Sequence, residues 1–559
     1  MTALTRQGLL PAALYFAAFF ALNSHLAGAF STHYFFGGAD GFQNIWNLWW
    51  VDIAVRERGI LPWSTDMLHY PYGTTLIGHT LNPFNGLVAI PLLKFLTLLQ
   101  AYNAILVFSF VMTGVTTFWL CLHVTKGYWG SLFGGAVLTF SSFHFMHGDG
   151  HMQLVALQWL PLFVLCWIRF CEAPTALRGA TAGFVLLLVA LCDLYYFAYA
   201  VFAGAFFYFY KARVRSDLFY MVRGPHRVAV AAFALTVLPT CGAIAVALMR
   251  QQSRDPLFGT HSPILLSMDL LSPFVWGYYW RFRDAVEPLW RPLSPYVTEA
   301  SVYVGLSIIG LGIYGWRRAQ IAHRGFWLAV LVFFGVMSLG PNLHIGGHEI
   351  SLGLRGSFMG RENVNLLALP YGWLWVAFPP WRLAGVPLRM MVMVQLVAAV
   401  AAAAGWEALL RSRARWALPA AVAIFVVATI EYLPYPLRLT DPRVPAYVEA
   451  LRDLPEGAVV DLASNAPQAL YYQTVHHKPI AFGYISRTPT SVDQNDLAVA
   501  ALIREGHWNE LARRYRFTYV VTRPKSADVM MRGINEIPLA EIDPARAVHT
   551  SDGVTIYRF

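Results

Sequence analysis

The chain has 559 residues, of which 57% are hydrophobic and only 13% charged. Soluble domains carry about a quarter charged residues, so this composition excludes an ordinary soluble protein and predicts a polytopic α-helical membrane protein. The formal net charge is +10, yet residues 434–559 hold 14 Lys/Arg against 14 Asp/Glu. The basic excess therefore lies in the apolar part, as the positive-inside rule produces, and is no signature of nucleic-acid binding.

In chain order, residues 8–30 are almost entirely apolar and read as an uncleaved first span. The chain then emerges with Asp40, in Gly37-Gly38-Ala39-Asp40-Gly41-Phe42-Gln43. An ionisable group at a membrane boundary has a partner or a task. In 42–58, Trp46, Trp49 and Trp50 fall at helical spacing, and tryptophan favours the interface, so this segment is expected to lie flat on the outer face. Segment 82–99 is apolar but broken by Pro83 and Pro91 and carries Lys94, and is expected to lie flat as well. The first outer loop then covers about residues 31–100 and contains Asp66 and His79. A turn cap for Asp66 and a satisfied interfacial histidine for His79 are the plainer readings of each alone.

Further spans are expected near 101–123, 130–145, 153–171, 179–193, 194–210, 228–248, 301–316, 325–340, 389–410 and 416–434, which makes about 11 transmembrane helices. Lys126, Arg169 with Arg178, Lys211 to Arg215, Arg223 with Arg227, Arg317-Arg318 and Arg411 to Arg415 then fall in alternate loops. Those loops should be cytoplasmic, placing the N-terminus inside and the C-terminus outside. The outer loops 143–152, 249–300 and 341–388 are rich in aromatic residues or in Pro and Gly, so the working surface is expected outside. Asp193 sits between two apolar runs with almost no loop. The five cysteines all lie in or beside apolar helices and form no metal or disulfide pattern. Residues 441–559 alternate short apolar strands with helical stretches, which predicts a small C-terminal extracytoplasmic α/β domain, 435–559, after a membrane domain, 1–434.

The combination of 37-GGADGFQNIWNLWW-50, 66-DMLHYPYG-73 and 141-SSFHFMHGDGHMQLVALQWLPL-162 resembles the membrane glycosyltransferases of the C-type fold (GT-C). That group includes the protein O-mannosyltransferases, the lipid A aminoarabinose transferase and the oligosaccharyltransferase catalytic subunit. More narrowly, the chain is similar to a poorly characterised bacterial branch. The likeness spans roughly residues 8–210. It implies an enzyme of the bacterial inner membrane. The enzyme would move a sugar from a polyprenyl-phosphate donor to a glycan, lipid or cell-envelope acceptor on the extracytoplasmic face, with inversion. Membrane lipids are expected partners, and nucleic acid is not.

The chemistry accounts for the acidic residue. An acceptor hydroxyl is a poor nucleophile, and a carboxylate within hydrogen-bond reach takes its proton as the new bond forms. By resemblance Asp40 is that base; a helix N-cap is the competing role, and the two can coexist. Asp149 and His151, in His147-Gly148-Asp149-Gly150-His151, suit either a divalent cation (Mg or Mn) or substrate orientation. The oligosaccharyltransferase loop is carboxylate-rich, and the departure here weighs against the cation. Arg382 and Arg389, ahead of a helix on the outer face, are expected to supply a guanidinium for the donor phosphate, without a choice between them. Arg281, Arg283 and Arg291 are weaker rivals. A lipid or glycan transporter (flippase) and a non-catalytic envelope assembly protein are the alternative functions. Buried charges are few, which disfavours ion-coupled transport.

Overall fold

The computed structural model describes residues 4–224, 226–259, 261–350, 369–378, 381–382, 385–412, 414–523 and 542–559. Part of the outer loop expected at 341–388, and Arg413 of the last basic cluster, lie outside the described residues.

The first apolar run forms α1 (Leu10–Leu22) and, after a break at Asn23, a short continuation at Ser24–Ala29. There follow α2 (Ala39–Asp52), the hairpin β1 (Ser64–Thr65) with β2 (Thr74–Thr75), and α3 (Pro83–Leu92). The long apolar series is α4 (Leu98–Thr125), α5 (Tyr128–Thr139), α6 (Ser142–Gly148), α7 (Trp159–Glu172), α8 (Ala176–Cys192), α9 (Leu194–Arg215) and α10 (His226–Arg254). Strand β3 (Leu257–Gly259) precedes α11 (Leu306–Arg318), α12 (Arg324–Ser338), α13 (Met391–Arg411) and α14 (Ala417–Glu431). The C-terminal part contains α15 (Ala446–Asp453), β4 (Ala458–Asp461), α16 (Ala466–His476), β5 (Arg487–Pro489), α17 (Thr490–Arg504), α18 (Trp508–Tyr515), β6 (Phe517–Thr522), β7 (Ala547–Ser551) and β8 (Val554–Arg558). Each segment expected to span carries helix. Among the described residues, Leu98–Thr125, Met152–Glu172, His226–Arg254 and Pro387–Arg411 are long and apolar enough to cross a membrane.

The chain divides into two compact units. The first comprises Met1–Gly28, Ala104–Gly242 and Thr260–Arg438; the second comprises Ala29–Asn103, Ala243–Gly259 and Leu439–Phe559. Residues of the first loop, Ala29–Asn103, and the segment Ala243–Gly259 thus group with the C-terminal residues.

The first unit is helical and packs around α13, whose run from Ala398 to Gly405 presents little but methyl groups. Small side chains let neighbouring helix backbones approach, and this is how helices associate where lipid removes the hydrophobic drive. A Cβ on Gly315 of α11 would stand 2.4 Å from the Gly405 nitrogen. A Cβ on Gly130 of α5 would stand 2.2 Å from the Ala403 oxygen. Neither contact leaves room for a side chain.

The second unit holds a four-stranded sheet in the order β4-β6-β8-β7, with β4 parallel to β6 and the other pairs antiparallel. A separate antiparallel pair joins β3 to β5. The tryptophans of α2 depart from the interfacial expectation: Trp46, Trp49 and Trp50 are 0%, 7% and 0% exposed. Trp46 and Trp50 stack at 5.9 Å, with their planes 10° apart. The Trp46 indole N–H donates to Gln473 Oε1 at 2.6 Å and that of Trp50 to the Pro62 carbonyl at 3.1 Å. Burial of an indole requires a partner for its N–H, and here the protein supplies what a headgroup would. Gln473 is itself fully buried, and its Nε2 donates to the carbonyls of Met67 and Lys478 at 2.7 and 2.9 Å.

Replacing Gly315 by valine should overpack the α11–α13 contact and cost about 1–3 kcal/mol. A lowered unfolding temperature in detergent is the expected readout. Gly310→Ala, where a Cβ meets nothing within 4 Å, should leave the temperature unchanged.

Candidate functional site

Asp40 lies in the first turn of α2, whose N-cap is Gly38, without a side-chain capping bond. Capping is thus not the role of Asp40, although a carboxylate in a first turn is favoured by the helix dipole. Its Oδ1 accepts the hydroxyl of Tyr484 at 2.8 Å. Burial, and then the charge of Asp40, push the Tyr484 phenol well above its ordinary value, so it stays a donor. Asp40, Gln43, Asn44 and Asn47 recur at helical spacing and form the polar stripe of a helix whose tryptophans are buried.

That stripe ties down the loop carrying His79. Asn47 Nδ2 donates to the Thr80 carbonyl at 2.9 Å, and Thr80 Oγ1 donates to Gln43 Oε1 at 2.9 Å. Gln43 Nε2 donates to the Tyr484 carbonyl at 2.8 Å. His79 Nδ1 accepts the Ser486 backbone N–H at 3.1 Å, which leaves Nε2 as the donor to Asn47 Oδ1 at 3.2 Å. Burial, helped by Arg487 and opposed by Asp40, pushes the His79 imidazole from 6.5 down to about 3. His79 is therefore a neutral positioning element. Asp66, mostly exposed, pairs with Arg58 at 2.6 Å and takes no part in this network.

The first unit contains a second cluster. His147, at the end of α6, is fully buried, and no described protein group bonds either ring nitrogen. His147, His151 and Glu299 place one ligand atom each within 4.8 Å of one another. Glu299 Oε1 also accepts Arg389 Nη2 at 2.7 Å, and Arg389 lies over the Tyr195 ring at 5.1 Å. Burial alone would raise the Glu299 carboxyl, but Arg389 and His151 hold it below its usual value. Asp149 faces other partners. Its Oδ2 accepts the Tyr279 hydroxyl at 2.6 Å and Arg438 Nε at 2.9 Å. Gly150, at φ 134°, makes the bend that separates Asp149 from His151.

The structure thus joins His151 and Arg389, separates Asp149 from His151, and leaves Arg382 exposed with its Nε on the Trp375 carbonyl at 3.3 Å. Asp193 caps α9 by accepting the Tyr196 N–H at 2.9 Å. Arg283 lies over the rings of Tyr278 and Tyr435 at 3.8 and 3.7 Å. Sequence reasoning missed Tyr484, His147, Glu299 and Arg438. Glu299, a carboxylate in a Pro- and Trp-rich outer loop, offered a signal; Tyr484 offered none.

A family model described as "Domain of unknown function (DUF6311)" matches residues 54–359. No curated protein matches the chain. Among solved structures, arabinofuranosyltransferase AftD from Mycobacteria superposes with TM-score 0.56 at 12% identity, over 93% of this chain and 36% of that one. The oligosaccharyltransferase AglB from Archaeoglobus fulgidus, in complex with an inhibitory peptide and a dolichol-phosphate, gives TM-score 0.48 at 10% identity, over 93% of this chain and 70% of that one. The chain spans about a third of AftD, and the likeness to AftD at this identity establishes a shared fold.

The depressed His79 value sets a pH dependence. An unfolded chain takes a proton on this ring below pH 6.5, and the folded chain does so only near pH 3, so stability falls as pH drops through that window. His79→Asn should flatten this part of the profile of unfolding temperature against pH; an unchanged slope would assign it to another group.

Proposed function

The chain belongs to the DUF6311 family, and from that premise we propose that it is an inverting membrane glycosyltransferase. It moves a sugar from a polyprenyl-phosphate donor to a glycan or lipid acceptor of the cell envelope. About eleven helices span the bacterial inner membrane, with the N-terminus cytoplasmic and the chemistry on the extracytoplasmic face. The fold shared with AftD supports the transferase class.

The observation that carries the reading is the Asp40 carboxylate, held at the start of α2 by the Tyr484 hydroxyl at 2.8 Å. Asp40 takes the proton of the acceptor hydroxyl while that oxygen attacks the anomeric carbon. The bond from that carbon to the phosphate oxygen breaks, and polyprenyl phosphate leaves with the electron pair. Tyr484 keeps the carboxylate oriented. His79 and Asn47 fix the loop that follows. Within the first unit, Arg389 is the guanidinium suited by its planar fork to a phosphate.

His147, His151 and Glu299 fit a divalent cation, because His147 brings two buried nitrogens with no described protein partner. Two imidazoles and a carboxylate suit Mn or Zn better than Mg. When bound, such an ion would supply positive charge suited to a phosphate.

A transfer assay tests the reading, with radiolabelled polyprenyl-phosphate sugars and crude envelope acceptors on the reconstituted protein. Asp40→Asn should lower transfer about 10²- to 10⁴-fold while the protein stays folded. Equal transfer by variant and wild type would remove Asp40 from the chemistry. Chelation with EDTA should abolish transfer, and Mn should restore it in the wild type but not in His147→Ala.

A further inference from the structure

The second unit contains a polar cleft that the Asp40 network does not touch. Its volume is about 500 Å³, and its walls include Trp50, Arg58, Asp66, Tyr72, Asp255 and Ser491. That volume lies within the range of small-molecule sites, roughly 300–1,000 Å³. We propose that this cleft binds a sugar residue of the acceptor glycan, either neutral or an amino sugar. The acceptor role rests on the glycosyltransferase reading above; the sugar-binding role does not.

Three features select this ligand. The first is charge: two carboxylates face one guanidinium, so the cleft is net negative and disfavours phosphates and uronic acids. The second is an aromatic wall. Tyr72 is 60% exposed, with its ring edge against Tyr515 at 6.2 Å. The C–H face of a pyranose or furanose packs on such a ring, which offers apolar area at low entropic cost.

The third is a set of preorganised polar groups. Arg58 Nη1 donates to Asp66 Oδ1 at 2.6 Å while its guanidinium lies over the Trp50 ring at 5.3 Å. Asp255 accepts the Ser491 N–H at 2.9 Å and the Ser491 hydroxyl at 2.6 Å. Each carboxylate is thus held by a neighbour and aligned to accept from sugar hydroxyls. The frame is rigid. Gly73 turns the loop between β1 and β2 at φ +70°, where a Cβ would meet the Thr65 carbonyl at 2.5 Å. The β3–β5 pair, Leu257 to Gly259 on Pro489 to Arg487, fixes the opposite wall.

The test is direct binding to the full chain in detergent, by calorimetry, with neutral mannan, arabinan, galactan and glucan fragments and with chitosan fragments as probes. At least one fragment should bind the wild type. Tyr72→Ala and Asp66→Asn should each weaken that binding about tenfold. Asp40→Asn should bind as the wild type does, so loss of transfer in that variant reports on the chemistry and not on the cleft. In the transfer assay Tyr72→Ala should raise the acceptor KM and leave the donor KM unchanged. Two outcomes overturn the proposal: no fragment binds, or Tyr72→Ala binds with wild-type affinity. Displacement of the bound fragment by inorganic phosphate would overturn it too, by marking an anion site.

Discussion

A single buried amide, that of Gln473, holds together the part of the structure on which Asp40 depends. Its oxygen takes the indole N–H of Trp46, and its nitrogen serves the carbonyls of Met67 and Lys478. One side chain thereby links α2, the first loop and the C-terminal residues at zero exposure. An unmade bond in such a place costs about 1–3 kcal/mol, so partial satisfaction is not a stable option. The helix that carries Asp40 is fixed on its apolar side by this bond and by the Trp46–Trp50 stack.

Fixing one face decides the other. With the tryptophans buried, helical geometry turns Asp40, Gln43 and Asn47 toward the loop at 79–80 and the segment at 484–486. His79 remains neutral there because burial, helped by Arg487, outweighs the pull of Asp40.

The helices were legible because long apolar runs with basic ends are stable in a bilayer and in little else. Asp40 stood out as a carboxylate directly after one of them. The fate of the tryptophans was not legible. Indoles at helical spacing suit a headgroup layer and a protein core equally well, and the decision rests with Gln473, 427 residues away. Tyr484 is 444 residues from Asp40, and no local pattern announces such a partner. His147 was passed over because a histidine beside glycine and aspartate reads as loop, although α6 buries it completely.

The segment from His147 to His151 shows why spacing alone misleads. Asp149 and His151 stand two residues apart, yet the bend at Gly150 sends them to separate partners. Asp149 Oδ2 pairs with Arg438 and accepts the Tyr279 hydroxyl, while its buried Oδ1 has no hydrogen-bond partner among the described residues. His147 goes one step further. Its ring is buried beside His151 at 5.3 Å, and no described protein group bonds either nitrogen. Burial without a bond costs free energy at both ends of that ring. Packing offers no offset, because a phenylalanine of similar size would fill the same space without the penalty. An imidazole buried at that cost, within 4.8 Å of ligand atoms of His151 and Glu299, is the ground for the cation proposed above.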